Sequence, residues 1–214
     1  MLEEIDVIMP VDPAEGLEYV AAFPKAIRLL AFMLETLRLF TPLIHISKQT
    51  RTAQTIQTSR GTYWLPPNTT TYINAVALHL DPEVWQDLNL PGDDKGSADD
   101  VSRFRPTRWI NPEGSTQPLF QPPKGTFVPW SAGPRVCPGQ KMAQVEFVAI
   151  FLTLLRRHKI EAVALKGEDR AEVDARLDRR MKESVSILTL QMDNIYGVSD
   201  SADKGLMLKV SKRL

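Results

Sequence analysis

Residues 127–147 read FVPWSAGPRVCPGQKMAQVEF and hold Cys137, the only cysteine among 214 residues. Gly133 and Arg135 precede the thiol, Pro138 and Gly139 follow it, and a helical pattern of apolar residues begins directly afterwards. This order predicts Cys137 close to the N-cap of a helix over 140–157, with Pro138 at the first helical position, where its missing N–H costs nothing. Unpaired N–H groups at that helix start, the aligned peptide dipoles and the Arg135 cation all favour a thiolate over a thiol. Gly133 lets the preceding loop turn through backbone angles closed to other residues, bringing main chain close to a flat ligand. On these residues alone, a buried structural cysteine beside an ordinary helix start is the alternative reading.

Composition narrows the classes of function. With 43% apolar residues, 214 residues can bury one sizeable core or two small ones. The 26 basic and 26 acidic residues cancel, so no overall field points to nucleic acid or to an anionic membrane. A lone cysteine excludes an intrachain disulfide and a multi-cysteine zinc site. The opening MLEEIDVIMP has three acids and no basic residue, unlike a signal peptide or N-terminal anchor. The most apolar later run, Val145–Leu155, is too short to span a bilayer.

Outward from the cysteine, the chain falls into zones. Ile27, Leu30, Phe32, Leu34, Leu37 and Phe40 recur at roughly helical spacing, which predicts a helix from about Pro24 to Leu39. Residues 43–80 are rich in Thr and Ile and broken by Gly61, Pro66 and Pro67, predicting short strands and turns. Residues 81–127, full of Pro, Gly, Asp and isolated tryptophans, predict an ordered irregular wrap, with the acidic stretch Gly92–Asp100 as a surface loop within it. After the helix over 140–157 come a charged segment, Lys166–Ser184, and strand-like runs at Val185–Met192 and Gly205–Val210.

The spacing Trp130-x-x-Gly133-x-Arg135-x-Cys137-x-Gly139 resembles the haem-binding loop of the cytochrome P-450 family, with Trp where the family usually has Phe. The resemblance implies that Cys137 is the axial thiolate ligand of iron in haem b, that Arg135 pairs with a haem propionate, and that Trp130 packs beside the sulfur. Gly133 and Gly139 complete the haem cradle, and Lys48 stands in the place of a family arginine facing a propionate. Thiolate ligation pushes electron density onto iron and favours O–O cleavage. Glu35-Thr-Leu-Arg38 resembles the family's Glu-x-x-Arg, its i, i+3 spacing placing both side chains on one helical face. Phe104-Arg-Pro106-Thr-Arg108-Trp109 resembles the segment whose arginine joins that pair in a buried triad. Glu35, Arg38 and Arg108 are therefore expected to form a structural unit, locking the wrap to the helix, whereas a Glu–Arg pair without that context is an ordinary solvated pair. His79, in His79-x-Asp81-Pro82, has no second ligand at metal-site spacing, and a turn hydrogen bond is expected of it.

The resemblance runs from about residue 15 to the C-terminus and corresponds to the C-terminal part of eukaryotic microsomal-type members. Only 34 residues precede Glu35, leaving no room for the distal helix, the segment for the other propionate or a membrane anchor. It implies a mainly α fold with small β-sheets. One truncated region over 1–214 would contain the Glu-x-x-Arg helix (about 24–39), strands and turns (43–80), the wrap (81–127), the haem loop (127–139), a helix (140–157), and the charged segment with terminal strands (166–214). The implied activity is O₂-dependent oxidation of a small lipophilic substrate, with electrons from an NADPH-dependent reductase. No nucleic acid is implied as a partner. A missing N-terminal half is. No catalytic residue is assigned, since the distal groups lie elsewhere. Full-length relatives are usually bound to the endoplasmic-reticulum membrane. A non-catalytic truncated or degenerate relative, or an interaction fragment, without activity on its own, is the alternative. Residues Leu43–Ser47 and Asp193–Lys204 match regions that line the family's substrate pocket.

Overall fold

The computed structural model describes residues 1–10, 12, 15–86, 100–187, 189–191 and 207–213. Helices α1 (Leu2–Ile8) and α2 (Tyr19–Ala22) lead through a 3₁₀ turn at Phe23–Lys25 into α3 (Ile27–Leu39). The helix expected from Pro24 thus begins at Ile27. Pro24 fits the tight turn, but Ala26 leaves helical geometry and a new helix restarts behind it. No side chain of α3 itself caps its first turn. Glu4 does so from α1, accepting the backbone N–H groups of Arg28 and Leu29 at 2.8 and 3.2 Å.

Strands β1 (His45–Gln49), β2 (Gln54–Thr58), β3 (Gly61–Leu65) and β4 (Thr70–Asn74) follow. The antiparallel β1–β4 pair encloses the β2–β3 hairpin, with Ile46 opposite Ile73 and Ile56 opposite Tyr63. The zone expected as strands and turns ends instead in a helix, α4 (Ala75–His79). Asn74 caps it by accepting the Ala77 N–H, and the alanine-rich run outweighs the surrounding strand signal. Helix α5 (Pro82–Trp85) starts the same way, with Asp81 accepting the Glu83 N–H and Pro82 in the first turn. Two 3₁₀ turns, Asp100–Ser102 and Pro106–Trp109, shape the wrap. Most of the stretch expected as an acidic surface loop lies outside the described residues. Its last member, Asp100, corrects that expectation: it is buried, because two arginines surround its carboxylate.

Helix α6 (Gln140–Arg157) has Gly139 as N-cap, whose carbonyl accepts the Ala143 N–H at 2.9 Å. Pro138 therefore precedes the helix instead of occupying its first position, and Cys137 lies two residues before the cap. Strand β5 (His158–Ala162), helix α7 (Arg170–Lys182), and strands β6 (Val185–Ile187), β7 (Thr189–Gln191) and β8 (Leu208–Lys212) complete the described chain. The charged segment is helical because Asp169 and Glu172 form a reciprocal capping box at its start. Four two-stranded antiparallel sheets are present among the described residues, so the architecture is mainly α with small peripheral sheets. No described helix is long and apolar enough to cross a membrane.

The core is built in three patches. Ile5, Leu29, Leu30, Val148, Leu152 and Leu155 join α1, α3 and α6. Ala31, Trp85, Val101 and Trp109 join α3 to the wrap. Ile46, Ala75 and Val128 join β1, α4 and the start of the cysteine loop. Replacing fully buried Leu152 by Ala should cost about 2–5 kcal/mol, read as a lowered urea midpoint. Val20→Ala, at an exposed site, should leave the midpoint within about 0.5 kcal/mol of the parent.

Candidate functional site

Glu35 lies on the inner face of α3 with no solvent exposure, and so does Arg38 one turn later. The pair is a two-pronged fork: Arg38 Nε and Nη2 donate to the two Glu35 oxygens at 2.8 and 2.9 Å. Three further donors reach the same carboxylate from about seventy residues away. Arg108 Nε donates at 2.9 Å, the Arg105 backbone N–H at 2.8 Å, and Trp109 Nε1 at 2.9 Å. Arg38 Nη1 spans the gap in the other direction, to the carbonyls of His79 (2.9 Å) and Val101 (2.7 Å). Arg108 also donates to the carbonyls of Trp85 (2.6 Å) and Asp100 (2.8 Å). The structure thus brings Glu35, Arg38 and Arg108 together.

Burial pushes the Glu35 carboxyl towards its neutral form. The hydrogen bond and charge of Arg38, the charge of Arg108 and the Arg105 amide together outweigh that, and the pKa is lowered overall. Sequence reasoning missed three members of this network. Asp100 is a second buried carboxylate, paired with Arg105 and Arg108 at 3.0 and 3.5 Å. Arg105 contributes a backbone amide, which no side-chain motif can reveal. Trp109 acts through its indole N–H. The available signal for Asp100 was its place five residues before Arg105 in a stretch otherwise read as solvated.

An aromatic cluster carries this order to the cysteine loop. Trp109 stacks at a tilt on Phe127 (4.8 Å between ring centroids) and on Trp85 (5.1 Å). His79 packs on Phe127 at 5.0 Å, and its Nε2 accepts the Val128 N–H at 2.9 Å. His79 is therefore buried against the loop, beyond the turn hydrogen bond expected of it. Burial, with the nearby Arg38 charge, lowers its pKa to about 4, so it is neutral at ordinary pH.

From Val128 the loop closes in two steps. Val128 O accepts the Ser131 N–H at 3.0 Å, and Trp130 O accepts the Cys137 N–H at 2.9 Å. Ser131 and Gly133 both adopt positive φ, 66° and 79°, and the second turn, Gly133–Arg135, is a short 3₁₀ helix. Cys137 emerges exposed at the end of this loop. A Cβ on Gly139 would lie 3.7 Å from its Sγ, over space that glycine leaves open beside the sulfur. Arg135 is exposed, with no hydrogen bond or ion pair to a described residue. Trp130 Nε1 is buried without a hydrogen-bond partner among the described residues. Lys48 lies exposed on β1 two residues from Ile46, hence on the strand face that Ile46 turns towards Val128. Among the described residues, no group of three His, Cys, Asp or Glu side chains could hold a metal ion.

A family profile described as Cytochrome P450 matches residues 28–174. The phomenoic acid biosynthesis cluster cytochrome P450 monooxygenase of Leptosphaeria maculans is 45% identical over 221 aligned residues, 100% of this chain and 36% of that protein. A cytochrome P450 monooxygenase of Arthrobotrys oligospora is 28% identical over 90% of this chain and 34% of its own length. The chain thus spans about a third of the length of these curated relatives. A zebra fish cytochrome P450, solved with abiraterone, shares the fold over 100% of this chain and 39% of that chain, with a TM-score of 0.61 at 20% identity.

Removing the Glu35 charge by Glu35→Gln takes from Arg38 its paired carboxylate and leaves Arg108 with Asp100 alone among the described carboxylates, and should cost about 3–5 kcal/mol by urea denaturation. The pH dependence has two adjoining windows. His79 titrates near 6.5 unfolded and about 4 folded, so its contribution is complete above 6.5 and is lost as pH falls towards 4, roughly 3 kcal/mol in all. Glu35, lowered in the fold, contributes above its unfolded value of 4.5 and is lost only as pH falls below that. Urea titrations from pH 8 to pH 3 should show both steps, with the upper one absent in His79→Gln.

Proposed function

The chain belongs to the cytochrome P450 family, and from that premise we propose that it carries the haem-thiolate part of a monooxygenase site, with Cys137 as the ligand of haem iron. The observation that carries this reading is the loop itself. The chain's only cysteine stands exposed, glycine leaves space beside its sulfur, and the buried Trp130 Nε1–H has no partner among the described residues. These features fit a flat iron-bearing ring better than a packed protein surface. Arg135, free of partners among the described residues, and Lys48 would hold the propionates, and Trp130 would pack beside the sulfur. Gly133, at positive φ, would let the main chain of the turn approach the ring.

Haem b, when bound, supplies activation of O₂, one atom going to a small lipophilic substrate and the other to water, with electrons from an NADPH-dependent reductase. The residues of this chain bind and orient. The uncapped N–H groups at the start of α6 and the Arg135 cation are the positive groups adjoining Cys137 in sequence. Glu35, Arg38 and Arg108 hold the wrap and touch no reacting atom. Leu43 and Ile44 are exposed apolar residues at the start of the β1 region and are candidates to meet substrate. The other candidate stretch, 193–204, lies outside the described residues.

A second reading is favoured by the exposure of Cys137, Val136 and Met142. An open site admits water, so by itself the chain would hold haem without completing the oxidation. The test is the reduced, CO-bound spectrum of the purified chain loaded with haem. A Soret band near ~450 nm that is lost in Cys137→Ser is expected. Arg135→Ala should weaken haem binding about tenfold. Failure of the parent chain to take up haem overturns the reading.

A further inference from the structure

His79 closes α4 and is in contact with both halves of the architecture described above. Its carbonyl oxygen accepts from Arg38 Nη1 at 2.9 Å, inside the Glu35 network. Its ring Nε2 accepts the Val128 N–H at 2.9 Å, at the foot of the cysteine loop. Because an imidazole nitrogen that accepts carries no proton, this bond fixes a neutral ring with its hydrogen on Nδ1. That Nδ1 is buried and has no hydrogen-bond partner among the described residues. An unpaired buried donor is destabilising, and an apolar side chain of similar size would avoid the cost. The imidazole therefore stabilises this site through Nε2 and through ring packing on Phe127.

What Nε2 holds is the first fixed point of the loop. Val128 is buried against Ile46 and Ala75, its carbonyl accepts the Ser131 N–H, and the next closure, Trp130 O to Cys137 N–H, is set two residues further on. We propose that His79 is the positioning residue of the cysteine loop, passing the order of the Glu35–Arg38 network through Val128 to the backbone that presents Cys137. His79 hydrogen-bonds at once to Arg38, through its backbone carbonyl, and to a residue of the loop, through its ring. The importance of this positioning for haem rests on the function proposed above. The positioning itself is a property of the protein alone.

Two variants separate the hydrogen bond from bulk. His79→Gln keeps an acceptor that can reach the Val128 N–H, and His79→Leu keeps apolar volume without one. Amide hydrogen exchange of the full chain without haem is the readout. In His79→Leu the Val128 and Cys137 amides should exchange about tenfold faster, with amides at the centre of α7 unchanged, and His79→Gln should restore most of the protection. Acceleration spread equally over α7 and the β5–β8 sheet would make His79 an ordinary core residue and overturn the proposal. So would unchanged exchange at Val128, or a His79→Gln chain that behaves like His79→Leu. If His79→Leu does not fold, the parent chain decides. A ¹⁵N–¹⁵N coupling across the Val128 N–H to Nε2 bond supports the proposal, and its absence overturns it. Haem uptake is measured separately: its failure in the parent chain counts against the haem reading, and the exchange comparison without haem still decides the role of His79.

Discussion

The carboxylate of Glu35 sits on the buried face of α3 and accepts five hydrogen bonds, two from Arg38 and one each from Arg105, Arg108 and Trp109. A charge removed from water is tolerated only when its lone pairs are met and its sign is balanced. Arg38, four bonds from its fork to carbonyls and carboxylate included, is subject to the same demand. Neither residue can satisfy it within a 13-residue helix. The partners come from the end of α4, from the 3₁₀ turn at Asp100 and from the segment around Arg105 to Trp109. An irregular stretch thus acquires a fixed course, because the helix it crosses holds buried polar groups that the stretch satisfies.

From that point the order spreads by packing. Trp109 reaches Glu35 through its indole N–H and turns its ring onto Trp85 and Phe127. Phe127 and Val128 then meet His79, and the loop to Cys137 is built from Val128 onward by short backbone closures and two residues at positive φ. The cysteine is exposed, yet its backbone N–H is held by the Trp130 carbonyl, and Val128, two residues before Trp130, is buried. On the far side, α6 carries Val148 and Leu152 into the same core that holds Leu29 and Leu30 of α3. The helix that starts at the loop and the helix that anchors the network are thereby fixed to each other. That joint fixing is what a rigid ligand needs from a loop whose own side chains are largely solvated.

Much of this was legible in the residues. The spacing of Cys137, Arg135, Gly133 and Trp130, and the Glu35–Arg38 and Arg108 pairs, are side-chain patterns, and side-chain patterns survive in sequence. The length of α6 was legible too, since its apolar period is uninterrupted and ends at the extended His158. Strand β5 was not. Its five residues alternate only weakly, and it exists because it pairs with β8, fifty residues away. Helix α4 escaped notice because its five residues follow directly on a strand-forming run, and the Asn74 cap that starts it belongs to that strand. Asp100 looked solvated by composition, and only the fold shows the two arginines around it. His79 looked like a turn residue, since nothing local announces that its ring will meet Val128 from 49 positions away. The register of Pro138 failed by a short step, as the helix took Gly139 for its cap.

The most direct test of this account is a double-mutant cycle across the network, using Glu35→Gln, Arg108→Met and the pair, with stability read by urea denaturation of the full chain. If the buried carboxylate and the wrap's arginine form one unit, the two losses should overlap, with a coupling energy above about 2 kcal/mol. Losses that add within about 0.5 kcal/mol would mean that α3 and the wrap are held together by something else, and would contradict the account.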